Sequence, residues 1–425
     1  MNLRVMAVAM ASLCLTGVRA TGAEAARTLT IDDAVDEAVQ HNLGLLAERV
    51  NLSIADAAVV TARLRPNPVL SGGANSLDWL GTGFSDLNGA GPPEYAIRVD
   101  VPLERAHKRE LRSALAGEAK RLAELQLEDA VRRLKLDVML ASIDVLEAKA
   151  KLQLAQDNLQ TLERLVELNQ RRLTSGAIPP LEATRARVAM LQYRGSVRNA
   201  QLAVTQARLK LVPLLGRSPE AAVDIDERLG VAPAQQGADL AALQQAARTA
   251  RPDLRAARTE QARSQADLRL QLAQGKIDYT LGAEYRRQQG VNGRGNLLGL
   301  FFSAPIPIFN RNQGEIARAE ADGSKAERSV DARENDVAGE VASAYEEFES
   351  SRQLLIDIER DLLDPTAAAR AGTTYVYRAG ATSLLEVLDA QRAYNDTMDT
   401  YYSAQASYRR ARAKLALVAG EASLP

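Results

Sequence analysis

Gly176-Ala-Ile-Pro-Pro-Leu-Glu182 returns 204 positions later as Gly380-Ala-Thr-Ser-Leu-Leu-Glu386. Carried on without a gap, the same offset sets Gly216 on Gly420. Ala186, Ala189, Ala200, Gln201, Ala207, Arg208, Lys210 and Leu211 also meet identical residues, giving thirteen identities over the 41 positions 176–216. Ala- and Leu-rich helices would agree at roughly one position in ten by chance, so one supersecondary unit is written twice. Upstream the match continues: Pro102-Leu103 corresponds to Pro307-Ile308, and Glu110 meets Glu315 at an offset of 205. The expected divisions are a first repeat over 26–216, a linker over 217–237, a second repeat over 238–420 and a tail over 421–425.

Both copies read in one order. A helical segment comes first (Ile31 to Arg65; Leu240 to Gly275), and Thr30 with Asp33 predicts a capping box for the first of these. Arg65-Pro66-Asn67-Pro68 ends it. Two strand-like stretches around a Gly/Pro/Asn loop follow, then a very long helix, a Gly turn, and a second helix stopping at Gly216 or Gly420. From Glu104 to Ser175 there is no proline. About 70 helical residues span on the order of 100 Å, against about 12 residues for an ordinary helix. Leu152, Ala155, Leu159, Leu162, Val166, Asn169 and Leu173 recur at spacings of three and four, a coiled-coil seam with Asn169 as a register-setting polar residue. Each copy is thus expected to be a rod, one continuous helix beside two shorter collinear ones; an amphipathic helix of a soluble bundle has the same periodicity.

Composition narrows the function. Aromatic residues make up 4% and charged residues 25%, with a formal net charge of −1, so nothing draws the chain to nucleic acid. Arg4, the short apolar run Val5 to Leu15 and the small-residue stretch Ala23-Glu24-Ala25 predict a secretory signal over 1–25. The single cysteine, Cys14, lies inside that signal behind Leu13, where a lipid-anchor motif would want a small residue. A mature chain without thiols has no disulfide and no cysteine zinc site, and two histidines, His41 and His107, do not suggest a metal cage. Neither a phosphate-binding Gly loop nor a nucleophile–base set is present, so no cofactor and no enzymatic activity are expected.

No run of eighteen apolar residues follows the signal, so any passage through a membrane would require a closed β-barrel. Two segments fit. Ile277, Tyr279, Leu281, Ala283 and Tyr285 alternate with polar residues or glycine, and Tyr95, Ile97, Val99 and Val101 alternate with Ala96, Arg98, Asp100 and Pro102. Pro68 to Ser76 and Leu297 to Ile306 are less regular candidates, with loops at Leu77 to Glu94 and Gln288 to Asn296 and Trp79 near the membrane interface. A half-buried strand in a soluble sheet alternates in the same way. Four strands cannot close a barrel, for which about eight is the minimum, and open edges cannot face lipid. Three chains of four strands would give about twelve and close the ring. The expected fold is mainly α with a small β part: long antiparallel helical hairpins, and four strands per protomer in a trimeric membrane barrel.

Three stretches together resemble the outer membrane factor family typified by TolC. They are Leu29-Thr-Ile-Asp-Asp-Ala-Val-Asp-Glu-Ala-Val-Gln-His-Asn42, Tyr377-Arg-Ala-Gly380-Ala-Thr-Ser-Leu-Leu385-Glu386-Val-Leu-Asp389-Ala-Gln391, and the repeat itself. Pro305-Ile-Pro-Ile-Phe309-Asn-Arg-Asn-Gln-Gly314 is similar to the CzcC-type branch, which serves heavy-metal cation efflux. The resemblance implies a homotrimer in the bacterial outer membrane with a large periplasmic tunnel. It also implies a periplasmic adaptor and an inner-membrane pump of the resistance–nodulation–division type as partners. By position, Glu386 and Asp389 match the family's acidic constriction, and Tyr377 matches a tyrosine that helps hold the closed state. Thr382 stands where the best-known member has an arginine, so no latch is assigned. Gly176, Gly380, Glu182 and Leu385 fall at the hairpin tips, where the adaptor would touch.

Glu386 and Asp389, three apart, share a helix face, and threefold symmetry would turn them into carboxylate rings that attract cations. Solvated surface acids are the plain alternative. Glu182 aligns with Glu386, but Arg185 replaces Asp389, so only the second copy would carry both acids. A metal-cation efflux duct is the leading expectation. A duct for drugs, organic solutes or secreted proteins, and a soluble periplasmic coiled-coil adaptor, are the alternatives.

Overall fold

The computed structural model describes residues 27–81, 83, 92–233, 239–290 and 293–420; the expected signal (1–25), its cleavage site and the tail (421–425) lie outside them. In chain order the elements are β1 (Arg27–Leu29), α1 (Ile31–His41), α2 (Leu43–Arg63), β2 (Val69–Asn75), β3 (Glu94–Leu103), α3 (Lys108–Thr174), α4 (Pro180–Leu214), β4 (Val223–Ile225), α5 (Leu240–Ala250), α6 (Pro252–Gln274), β5 (Tyr279–Gly290), β6 (Gly293–Ser303), α7 (Gln313–Asp361), α8 (Leu363–Arg378) and α9 (Leu384–Ala419).

The spine is α3, 67 residues and therefore about 100 Å long. Its first half packs against α2 and α6, and its second half against α4 and α9. Leu162 and Asn169 of the seam are fully buried, and Asn158 and Leu165 join them, because this stretch of α3 is covered by two hairpins at once. The helix ends in a Schellman turn: Ala177 N–H donates to Arg172 O at 2.8 Å, and Gly176 takes φ +73°. The tip of the second copy repeats this, with Ala381 N–H to Val376 O at 3.1 Å and Gly380 at φ +81°.

Local chemistry corrects several sequence expectations. The opening segments are each two helices. Asn42 breaks the first, its Oδ1 accepting from Leu45 N while its Nδ2 donates to Leu214 O at 3.0 Å. Arg251-Pro252 breaks the second, since a proline at the first helical position has no N–H to return to the preceding helix. The Thr30–Asp33 capping box is present. The long helix of the second copy is not continuous: it is interrupted at Leu362 between α7 and α8. Pro365 cannot donate to Asp361 O and its ring crowds that carbonyl, so the ladder lapses there. The linker contains β4, which pairs in parallel with β1 in a two-stranded sheet that adds to the four expected strands.

The four expected strands form one antiparallel sheet in the order β2-β3-β5-β6. Much of the predicted loop Gln288 to Asn296 is paired strand, from Arg287↔Asn296 up to Gly290↔Gly293. Register stacks the apolar residues on one face: Val101↔Leu281↔Phe302, Val99↔Ala283↔Leu300, Ile97↔Tyr285↔Leu298. That face is exposed, with Leu300 84% and Phe302 66% accessible, while β3 alternates strictly between exposed and half-buried positions. β2 and β6 are the open edges. Among the described residues no helix is long and apolar enough to cross a membrane.

Three apolar clusters hold the rods. One joins α1, α3, α4, β1 and β4 with Leu45 of α2 and Ala406 of α9; a second joins α5, α6, α7 and α9; the third lies near the tips. At the α5–α6 corner the fully buried Arg251 pairs with Asp253 at 2.6 Å and Glu340 at 2.6 Å, and Arg333 also reaches Asp253. Burial alone would raise the Asp253 pKa, but the bonds from Arg251 and Arg333 prevail and hold it far below the usual carboxylate range.

Candidate pore constriction at the hairpin tips

At the tips the C-terminal ends of α3 and α8 meet the N-terminal ends of α4 and α9 around Leu162, Leu165, Ala186, Leu384 and Val387. Tyr377, 1% accessible, fills the centre. Its Oη lies 2.6 Å from Asn169 Oδ1 and 3.0 Å from Glu182 Oε1, a polar node linking the two hairpins of one chain. One phenolic proton cannot serve two acceptors fully. An Asn169 amide turned to donate to the phenol oxygen would leave the proton for Glu182. Burial and the adjacent Glu182 carboxylate push the Tyr377 pKa up, so it remains a neutral donor.

Arg172 completes the node. Its Nη2 donates to two carbonyls at the end of α8, Arg378 O at 2.8 Å and Tyr377 O at 3.1 Å, the latter also accepting from Gly380 N at 3.0 Å, and its guanidinium sits 5.1 Å from the Tyr377 ring centroid. Further from the tip a second polar layer bridges the hairpins. Gln391 Nε2 donates to Asn158 Oδ1 and to Asn395 Oδ1, each at 3.0 Å, and Asn395 Nδ2 donates to the Tyr193 hydroxyl. Sequence spacing alone marks none of Arg172, Asn158 and Gln391 for these contacts. Asn158 and Asn169, eleven apart beside an apolar seam, were the available signal.

Glu386 and Asp389 lie on the opposite face of α9 from Leu384, Val387 and Gln391, and both are exposed. The Ser383 hydroxyl accepts from Glu386 N at 3.3 Å as the helix cap, and Thr382 Oγ1 donates to the Glu386 carboxylate. Asp389 is 3.5 Å from Arg392, both side chains well exposed, so this contact neutralises little. The two acids share a face without touching. The aligned glutamates therefore differ: Glu386 faces solvent, whereas Glu182 is drawn half-buried into the Tyr377 node. Leu385 is 61% exposed, and Gly176 and Gly380 stand at the bare turns. Among the described residues no group of three or more His, Cys, Asp or Glu could hold a metal ion.

The outer membrane efflux protein family model matches residues 34–217 and again 243–421. The chain is 26% identical to the cobalt-zinc-cadmium resistance protein CzcC of Cupriavidus metallidurans over 369 residues, 87% of this chain and 84% of that one. Its fold resembles the solved structure of CusC, with a TM-score of 0.74 at 19% identity, and that of a membrane protein from Pseudomonas aeruginosa, with 0.76 at 19%; each comparison covers 92% of both chains. The chain belongs to the outer membrane efflux protein family, the TolC-type outer-membrane channels of tripartite efflux systems.

Proposed function

We propose that three copies of this chain assemble into a duct that exports divalent heavy-metal cations, working with a periplasmic adaptor and an inner-membrane pump of the resistance–nodulation–division type. The four-stranded sheet supports the trimer: its bare apolar face suits outer-membrane lipid, but its open β2 and β6 edges cannot lie there in a monomer. Joining β6 of one copy to β2 of the next three times gives about twelve strands and removes every edge. The tunnel then hangs below, with the exposed tips at Gly176, Gly380 and Leu385 offered to the adaptor.

The observation that carries the cation reading is the exposed acidic face of α9. Around a threefold axis, Glu386 and Asp389 form two carboxylate rings, while Glu182 is spent on the Tyr377 node. The likeness to a cobalt-zinc-cadmium resistance protein supports metal as cargo. Two measurements test this. The Glu386→Ala/Asp389→Ala variant in planar bilayers should lose cation preference and block by multivalent cations; an unchanged reversal potential refutes the rings. Deletion of the gene should sensitise cells to cobalt, zinc or cadmium salts; unchanged tolerance to all three, with sensitivity to organic toxicants instead, refutes the cargo.

A further inference from the structure

On the half-buried face of the sheet, opposite the apolar one, Asp100 of β3, Gly282 of β5 and Phe301 of β6 stand in one row. Arg98, one row further along β3, bends back over this row. Its Nε and Nη2 donate to Asp100 Oδ1 at 3.0 and 2.8 Å, and its guanidinium carbon lies 4.1 Å from the Phe301 ring centroid. Gly282 makes the space: a Cβ there would stand 2.4 Å from Asp100 Oδ1 and 3.2 Å from Arg98 Nη2. The residue directly opposite Arg98 is Glu284, yet Glu284 is held by Arg286 on its own strand at 2.8 Å. Two arginines face two carboxylates, and each pair lies along one strand.

We infer that Asp100 is a selectivity-determining residue of the barrel: it folds Arg98 onto the wall over Gly282, so that the lumen stays open and carries no net positive ring across the cation path. This rests on the trimeric barrel reading above, in which the polar face is the lumen. Arg98 and Arg286 against Asp100 and Glu284 sum to zero per protomer and zero around this belt; Glu94, at the start of β3 on the same face, lies two rows beyond Arg98 and adds a negative charge there. Removing the Asp100 charge leaves three uncompensated positive charges in a lumen where cations must pass.

Twelve strands about 4.8 Å apart and tilted by about 40° make a barrel of about 12 Å radius, so the charged ends stand about 10 Å or less from the axis. Three such charges in water, screened over about 10 Å at 0.1 M salt, lower the cation-over-anion preference by about fourfold.

The experiment measures reversal potentials of the reconstituted trimer in KCl gradients near 0.1 M, in the Glu386→Ala/Asp389→Ala background so that the tip does not mask the barrel. Asp100→Asn should lower the cation-over-anion permeability ratio about fourfold. Arg98→Gln should shift it the opposite way, and the Arg98→Gln/Asp100→Asn double variant should return it to the background value. Gly282→Ser, which keeps every charge but fills the notch, should lower conductance and leave the ratio unchanged. Trimeric, conducting Asp100→Asn and Arg98→Gln channels with the background ratio overturn the assignment while leaving the barrel intact. Unaltered parent protein that never conducts overturns both the barrel and this reading.

Discussion

Replacing Tyr377 by Phe isolates the polar part of the tip node. The ring and its contacts with Leu162, Leu165 and Leu384 are kept; only the hydroxyl is lost. That hydroxyl sits 3.0 Å from a carboxylate oxygen of Glu182, a bond to a charged group worth about 1.5–3 kcal/mol. It also provides the 2.6 Å contact of Asn169, whose Nδ2 is already buried without a partner, so the variant strands the whole amide at a cost of about 1–3 kcal/mol. One phenolic proton cannot serve both acceptors fully, so the total lies toward the low end of these ranges, about 3 kcal/mol per protomer in the arrangement where the hairpins lie together. If the hairpins part to open the tunnel, water reaches Asn169 and Glu182 and the penalty disappears, so the open arrangement gains by the same amount. About 3 kcal/mol shifts that equilibrium by about two orders of magnitude.

The assay is single-channel recording of the reconstituted protein, with the thermal unfolding midpoint measured alongside. Tyr377→Phe should shorten closed dwells and raise mean conductance. Glu182→Gln, which keeps an acceptor oxygen but loses its charge, should do so to a smaller extent. A Phe variant that unfolds earlier yet keeps its closed lifetimes refutes the argument, because the hydroxyl would then stabilise the fold without holding the hairpins together.

Gly216→Ala places a Cβ 2.1 Å from His41 O at a backbone φ of +72°, and is expected to cost about 3 kcal/mol or more, whereas Gly380→Ala, at φ +81° with open space around it, should cost only the left-handed penalty of about 1 kcal/mol; denaturant unfolding of the two variants should rank them in that order, and equal losses would contradict it. Asp224 is partly buried, which would raise its pKa, but bonds from Arg208 at 2.9 Å and Lys149 at 3.1 Å prevail and hold it below its ordinary value of 3.8. A depressed folded-state pKa contributes stability that is complete above the unfolded value and lost as pH falls through the folded one, so Asp224→Asn should be less stable than the parent at pH 7 and show a smaller loss of thermal midpoint on acidification below about pH 4.

What could be read in advance was whatever depends on a short period. The alternation of Tyr95 to Val101 and of Tyr279 to Tyr285 gave both the strands and the faces they expose. The proline-free run to Ser175 gave the long helix, because nothing in it can interrupt the ladder. Pairing across distance was hidden. Gly290 and Gly293 read as loop residues, but they close a ladder that begins at Ser303↔Thr280, and only the partner strand makes Gly-rich backbone extended there. β1 and β4, three residues each and nearly two hundred apart, carry no period at all. The site shows the same limit. Glu182 and Glu386 are equivalent by sequence, yet Tyr377 from the other hairpin takes one and leaves the other in solvent. Arg172 reads as a solvated helix-end charge until the carbonyls of α8 arrive beside it.

The two copies agree wherever the backbone has a demand that no side chain can meet in another way. Both tips turn on a left-handed glycine, and both long helices start from a left-handed residue, His107 at φ +57° and Asn312 at φ +65°. Both repeats end on a glycine pressed against a helix corner: Gly216 against His41, and Gly420 against Ala250. Where a demand can be met by alternative chemistry, the copies part. One corner is set by Asn42 and its bond to Leu214 O, the other by Pro252 with a buried Arg251–Asp253 pair. One long helix is unbroken; the other yields at Leu362, about four turns before the tip that bears the exposed acids. Duplication supplied two hairpins able to fold alike, and the differences in charge and continuity then gathered at the end where they meet. Around a threefold axis those differences would alternate, three hairpins fastening through Glu182 and three presenting Glu386 and Asp389, so that fastening the tip and selecting what passes it need not compete for the same carboxylate.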